Sequence, residues 1–125
     1  MNTVKDLLKS GKTVVGTAGS VFEDNMAMLA DSGLDFILFD TQHSPIEVKQ
    51  YNRAIQGMSG KRASPVVRVS ANRADLICFA LDIGARGIIV PMVNTKEEAE
   101  AMVSCLLYTS PSPRDATLAR MPSCA

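Results

Sequence analysis

Apolar positions along this chain follow two patterns in turn, one spaced for amphipathic helices and one continuous, as in buried strands. Residues 4–9 read as a short helix stopped by Gly11, and residues 13–16 as a brief β-branched run. Residues 22–32 carry Met26, Leu29 and Ala30 at the spacing of one helical face and end at Gly33. The run 36–39, bounded by Asp35 and Asp40, has the form of a strand buried on both faces. Pro45 fits the first turn of a helix reaching about residue 56, with Val48, Tyr51 and Ile55 on its inner side. A strand over 65–69, a helix over 75–83 and a short strand over 87–90 follow, the last stopped by Pro91. Thr95 and Glu98 form a capping box for a helix over 95–103, with its acidic residues early, where the helix dipole favours them.

The order is therefore β-α repeated four times, with strands near residues 14, 37, 67 and 89. Such alternation implies parallel strands joined by right-handed crossovers. It predicts an α/β fold, the first four β/α units of a truncated (β/α)8 TIM barrel, because a whole barrel needs roughly 250 residues. A small, open, doubly wound sheet is the alternative.

Composition narrows the function classes. The chain has 125 residues, 46% of them apolar, enough for one buried core. Thirteen basic residues balance thirteen acidic ones, which argues against nucleic acid or an anionic membrane as partner. No apolar run approaches the ~20 residues that span a bilayer. The first twelve residues lack the apolar core of a signal peptide. Cysteines at 78, 105 and 124 show neither CxxC spacing nor an even count, which points to a reducing, cytoplasmic setting.

After Ser104 the text changes. Cys105-Leu106-Leu107-Tyr108-Thr109-Ser110-Pro111-Ser112-Pro113-Arg114-Asp115 is one reading frame of a transposon adapter used in sequencing libraries. Residues 119–125 follow the fixed primer behind that adapter's index, with two single-base departures. Residues 1–104 are thus assigned to the barrel, and residues 105–125 to a non-native, disordered tail outside functional argument.

In a parallel β/α barrel, chemistry gathers on the loops at the carboxyl ends of the strands. Those positions hold the small-residue segment Gly16 to Ser20, which offers room for a substrate, the loop beginning at Asp40, Arg68, and the loop from Pro91 to Asn94. His43, the only histidine, follows a buried strand and lies beside Asp40, where an imidazole can act as a general base. Arg68 interrupts a β run, and an interior guanidinium requires a partner. A substrate carboxylate fits, and so does an ion pair with Asp40 or Asp82. Asp82, before the turn Gly84 to Gly87, either caps and pairs locally or orients His43, and spacing leaves both open.

Three segments, residues 36–45, 67–69 and 81–93, closely resemble the HpcH/HpaI aldolase family, class II pyruvate aldolases related to citrate lyase β and 2-dehydro-3-deoxyglucarate aldolase. The resemblance runs through residues 3–104 in order. It implies divalent-metal-dependent cleavage of a 4-hydroxy-2-oxo acid to pyruvate and an aldehyde, with Mg²⁺ or Mn²⁺ polarising the 2-oxo group. It further implies that His43 deprotonates the 4-hydroxyl through a metal-bound water and that Asp82 pairs with such a histidine across a subunit boundary. Arg68 then holds the pyruvate end of a small 2-oxo acid, and the full-length enzyme is a homo-oligomer. Gln42 departs from the Glu of many relatives. The family's metal-binding Glu and Asp belong to strands beyond residue 104, so no metal ligand set is expected in this chain. The chain is therefore expected to be incomplete and inactive. Two other readings stand beside this one, a citrate lyase β-like acyl-CoA lyase and a non-catalytic half-barrel binding module.

Overall fold

Four parallel strands lie side by side in chain order, β1-β2-β3-β4, in the computed structural model, which describes residues 3–108. The elements run α1 (Thr3–Lys9), β1 (Gly16–Ala18), α2 (Glu23–Ala30), β2 (Phe36–Asp40), a 3₁₀ turn (Val48–Tyr51), α3 (Asn52–Gly57), β3 (Ser64–Arg68), α4 (Ala74–Asp82), β4 (Gly87–Ile89) and α5 (Lys96–Tyr108). Each strand pairs with the next, with Phe36 opposite Ser64, Asp40 opposite Arg68, and Arg68 opposite Ile89. A doubly wound sheet reverses its strand order at a switch point, whereas this order advances without reversal, as a partial barrel does.

Side chains alternate across the sheet. Ile37 and Phe39 of β2, Val67 of β3 and Val69 just after it are fully buried under Met26 and Ala30 of α2, Ala54 and Ile55 of α3, and Ile77 and Ala80 of α4. Phe39 also meets the Tyr51 ring edge-on, with centroids 5.0 Å apart. The opposite face carries Phe36, Leu38 and Asp40 of β2 with Val66 and Arg68 of β3, all half-buried. The apolar run of β2 predicts burial on both faces. Here only one is covered by helices, and the other is the face that lines the interior of a closed barrel.

Three expectations change in detail. The first strand starts at Gly16, three residues later than its β-branched run suggests. Val15 is instead held by Asp35, which accepts the Val15 N–H on Oδ2 at 2.9 Å and donates its own N–H to the Val15 carbonyl at 2.7 Å. The helix expected from Pro45 begins only at the 3₁₀ turn. Ser44 Oγ takes the Ile46 N–H, and Glu47 and Gln50 form the capping box. Val48, Tyr51 and Ile55 still face inward, as their spacing requires. Finally, α5 extends through Tyr108 and buries Cys105, so the change of text at residue 105 is not an element boundary. Leu106 and Leu107 are strong helix formers that prolong a helix already begun. The expectation for residues 109–125 lies outside the described residues.

In the segment Gly16 to Ser20, two glycines face the protein's own aromatic rings. A methyl group on Gly16 would lie 2.5 Å from the Phe36 ring, and one on Gly19 2.7 Å from the Phe39 ring. These glycines admit the protein's own aromatic side chains, while Thr17 and Ala18 between them stay exposed.

Candidate active site

Asp40 and Arg68 close the carboxyl ends of β2 and β3 on the half-buried face, directly opposite one another in the ladder. Arg68 Nε donates to Asp40 Oδ1 at 2.9 Å and Arg68 Nη2 donates to Asp40 Oδ2 at 2.6 Å, a bidentate pair. The two side chains retain 28% and 24% exposure, so the pair is accessible from that face. The Arg68 hydrogen bonds hold the Asp40 carboxyl well below the usual carboxylate range, against the opposing effect of partial burial. The same bonds make the guanidinium hold its proton more firmly.

The backbone around the pair is tied down. Thr41 is buried and gives both its N–H (3.0 Å) and its hydroxyl (2.8 Å) to the Arg68 carbonyl. The Tyr51 hydroxyl donates to the Asp40 carbonyl at 3.0 Å. Asp40 Oδ1 also accepts the N–H of Gln42 at 2.9 Å and of His43 at 3.4 Å, the turn an aspartate makes when it bonds its own backbone two residues on. His43 leaves this turn exposed, and among the described residues its imidazole has no hydrogen-bond partner. The loop after β4 adjoins Arg68 and holds Met92 at φ 56°, a left-handed conformation rare for a residue with a side chain. Asn94 Nδ2 donates to the Met92 carbonyl, and the Asn94 N–H donates to Glu98 Oε2 at 2.7 Å, which fixes the loop to the start of α5.

Arg68 and His43 are thus brought to one end of the sheet, and Asp82 is not. It ends α4, whose last turn lies at the strand starts, where the Arg86 N–H donates to the Pro65 carbonyl. A strand of five residues is about 13 Å long, so within one chain Asp82 and His43 stand at opposite ends of the sheet. Asp82 is exposed and makes no ion pair among the described residues, which removes it as the partner of Arg68. At the strand-start end Asp35 is structural: it is buried, receives the Val15 N–H and Arg62 Nη2 (2.8 Å), and is held below the ordinary carboxylate range first by the Val15 bond and then by Arg62. The polar cavity of about 280 Å³ at that end, lined by Gln56, Lys61, Arg62 and Arg86, is remote from Asp40 and Arg68.

No cluster of three or more His, Cys, Asp or Glu among the described residues has the geometry of a metal site. Asp40 is the one carboxylate at the centre of the site, and both of its oxygens are engaged by Arg68, which leaves a poor donor set for a hard divalent cation. None of the described helices is long and apolar enough to cross a membrane.

Residues 20–119 match the HpcH/HpaI aldolase/citrate lyase family. The match runs past the change of composition at residue 105. Over 109 residues the chain is 34% identical to a hydroxypyruvate/pyruvate aldolase of Roseobacter denitrificans and 37% identical to a pyruvate aldolase of Rhizobium etli, covering 86% of this chain and 43% of each relative. In three dimensions it superimposes on a HpcH/HpaI aldolase/citrate lyase family protein from Burkholderia cenocepacia with a TM-score of 0.75 and 27% identity, over 93% of this chain and 46% of that one. The chain spans less than half the length of these relatives.

Proposed function

Because the chain belongs to the HpcH/HpaI aldolase/citrate lyase family, we propose that it is the front half of an aldolase that cleaves 4-hydroxy-2-oxo acids to pyruvate and an aldehyde. The observation that carries this reading is the Asp40–Arg68 pair on the inner face at the carboxyl ends of adjacent parallel strands, with His43 leaving the same turn. That is the end of a β/α barrel where substrates bind. Arg68 directs its remaining N–H groups at the oxygens of the pyruvate moiety and at the negative charge that develops there. His43 takes the 4-hydroxyl proton during cleavage and returns it in the reverse reaction. Asp82 orients a histidine only across a subunit boundary, so this reading requires a homo-oligomer of the longer protein. On the family resemblance we assign Mg²⁺ or Mn²⁺ to carboxylates of sequence beyond residue 104, and residues 105–125 to adapter-derived text.

The test is pyruvate release from a 4-hydroxy-2-oxo acid by the longer protein, with and without Mg²⁺ or Mn²⁺. We expect release with the ion and a loss of kcat of about 10²–10⁴-fold in His43→Ala. We expect none from the 125-residue chain. Undiminished turnover in His43→Ala, or turnover by the short chain, contradicts the assignment.

A further inference from the structure

We infer that Asp40 is a positioning residue for 2-oxo acid binding, fixing the plane of the Arg68 guanidinium while bending the loop that delivers His43. The inference rests on the aldolase reading above. A guanidinium offers five N–H groups in one plane. Asp40 takes one from Nε and one from Nη2, both along one edge. Of the three N–H groups left over, one on Nη1 and the second of Nη2 form the end-on edge, whose two parallel donors match a carboxylate, or a carboxylate oxygen with its neighbouring 2-oxo oxygen.

A half-exposed arginine without this clamp would sample many rotamers and meet anions from any side. With it, the side-on edge is closed by a carboxylate that repels other carboxylates, and one two-donor approach remains. The pair is neutral overall, so a ligand is selected by the direction of its oxygen atoms more than by its net charge.

The second half of the inference comes from Oδ1. That atom receives Arg68 Nε and also the N–H groups of Gln42 and His43. One carboxylate therefore sets the substrate-holding group and the start of the acid/base loop together. Thr41 and Tyr51 hold the two strand ends that carry it, through the carbonyls of Arg68 and Asp40.

The experiment is a pyruvate titration of the 125-residue chain labelled with ¹⁵N-arginine, followed at the Arg68 guanidinium, which Arg68→Lys assigns by loss of its signal. In the unsubstituted chain Arg68 Nε–H should be protected from exchange, and pyruvate should shift the Nη signals. Asp40→Asn keeps an acceptor for the Gln42 and His43 N–H groups but turns a donor towards Nη2. It should weaken pyruvate binding at least about tenfold while the backbone amide spectrum away from residues 40–43 and 68 stays in place. Asp40→Glu keeps the charge and should bind more tightly than Asp40→Asn. A merely structural ion pair would change the spectrum or the stability and leave the affinity of the folded protein alone. Equal affinity in Asp40→Asn and the unsubstituted chain, equal affinity in Asp40→Asn and Asp40→Glu, or no response of Arg68 to pyruvate overturns the inference. If pyruvate binds through Arg68 in this way but the longer protein releases none from any 4-hydroxy-2-oxo acid, the aldolase reading fails and the role of Asp40 in binding stands.

Discussion

Among the described residues, the folded environments of Asp35 and Asp40 favour the charged carboxylate, and these two side chains tie opposite ends of the sheet. Both are held below the ordinary value, so the unfolded chain takes up protons first as the pH falls. Their contribution is fully present above the unfolded pKa, near 4, and is lost as the pH drops through the lower folded values. A urea midpoint for the chain should therefore be flat from about pH 7 to 5 and decline steadily below about pH 4. Asp40→Asn should flatten part of that decline, and a midpoint that rises between pH 5 and 3 would contradict the assignment. Much of this site was legible at the residue scale. An arginine inside a β run demands a partner, and Asp40 stood among the candidates. Choosing it over Asp82 required the parallel register, which places Asp40 against Arg68 across 28 positions of sequence and sends Asp82 to the other end. The left-handed backbone of Met92 had no signal at all, because methionine carries no turn chemistry that would announce it.

Elements were legible where local chemistry set their limits and less so where tertiary contacts did. The capping box at the start of α5 is present as its residue pattern requires. The Thr95 N–H bonds Glu98 Oε2 at 3.2 Å, and the Glu98 N–H bonds Thr95 Oγ1 at 3.1 Å. Thr95→Ala should cost about 1 kcal/mol of helix stability, read as faster amide exchange in the first turn of α5 with the sheet unaffected. Unchanged exchange there would mean the box is not what starts the helix. Glu98 also receives the Asn94 N–H, so the same substitution should loosen the loop that holds Met92. The first strand shows the converse case. Its β-branched run is a true strand signal, but the Asp35 side chain captures Val15 and the ladder starts at Gly16, where the bare backbone lets Phe36 close in. Pro45 likewise satisfies the rules for a first helical turn, yet local bonding at Ser44 and Glu47 delays the helix to residue 48.

At the scale of the whole molecule, helices cover one face of the sheet, and the Asp40–Arg68 pair stands on the other. β1 and β4 are the two edges of the sheet, and each carries ladder groups that a closed barrel would pair. The half-buried inner face places Leu38 and Val66 beneath the Asp40–Arg68 pair, apolar side chains below a polar layer, as in the stacked interior of a barrel. The alternation of helix and strand patterns was enough to anticipate this architecture, since four β/α repeats leave few topologies. On the proposed reading, the other half of the barrel contributes the rest of the site, including a ligand set for a divalent ion. On the proposed function these residues are one half of a catalytic barrel whose other half is encoded downstream. Re-amplifying the source DNA across codon 104 and reading onward with a different library chemistry decides it. The frame should continue into further β/α units with a Glu and an Asp at strand ends. Codons 105–125 found in the genome and followed by a stop would contradict it.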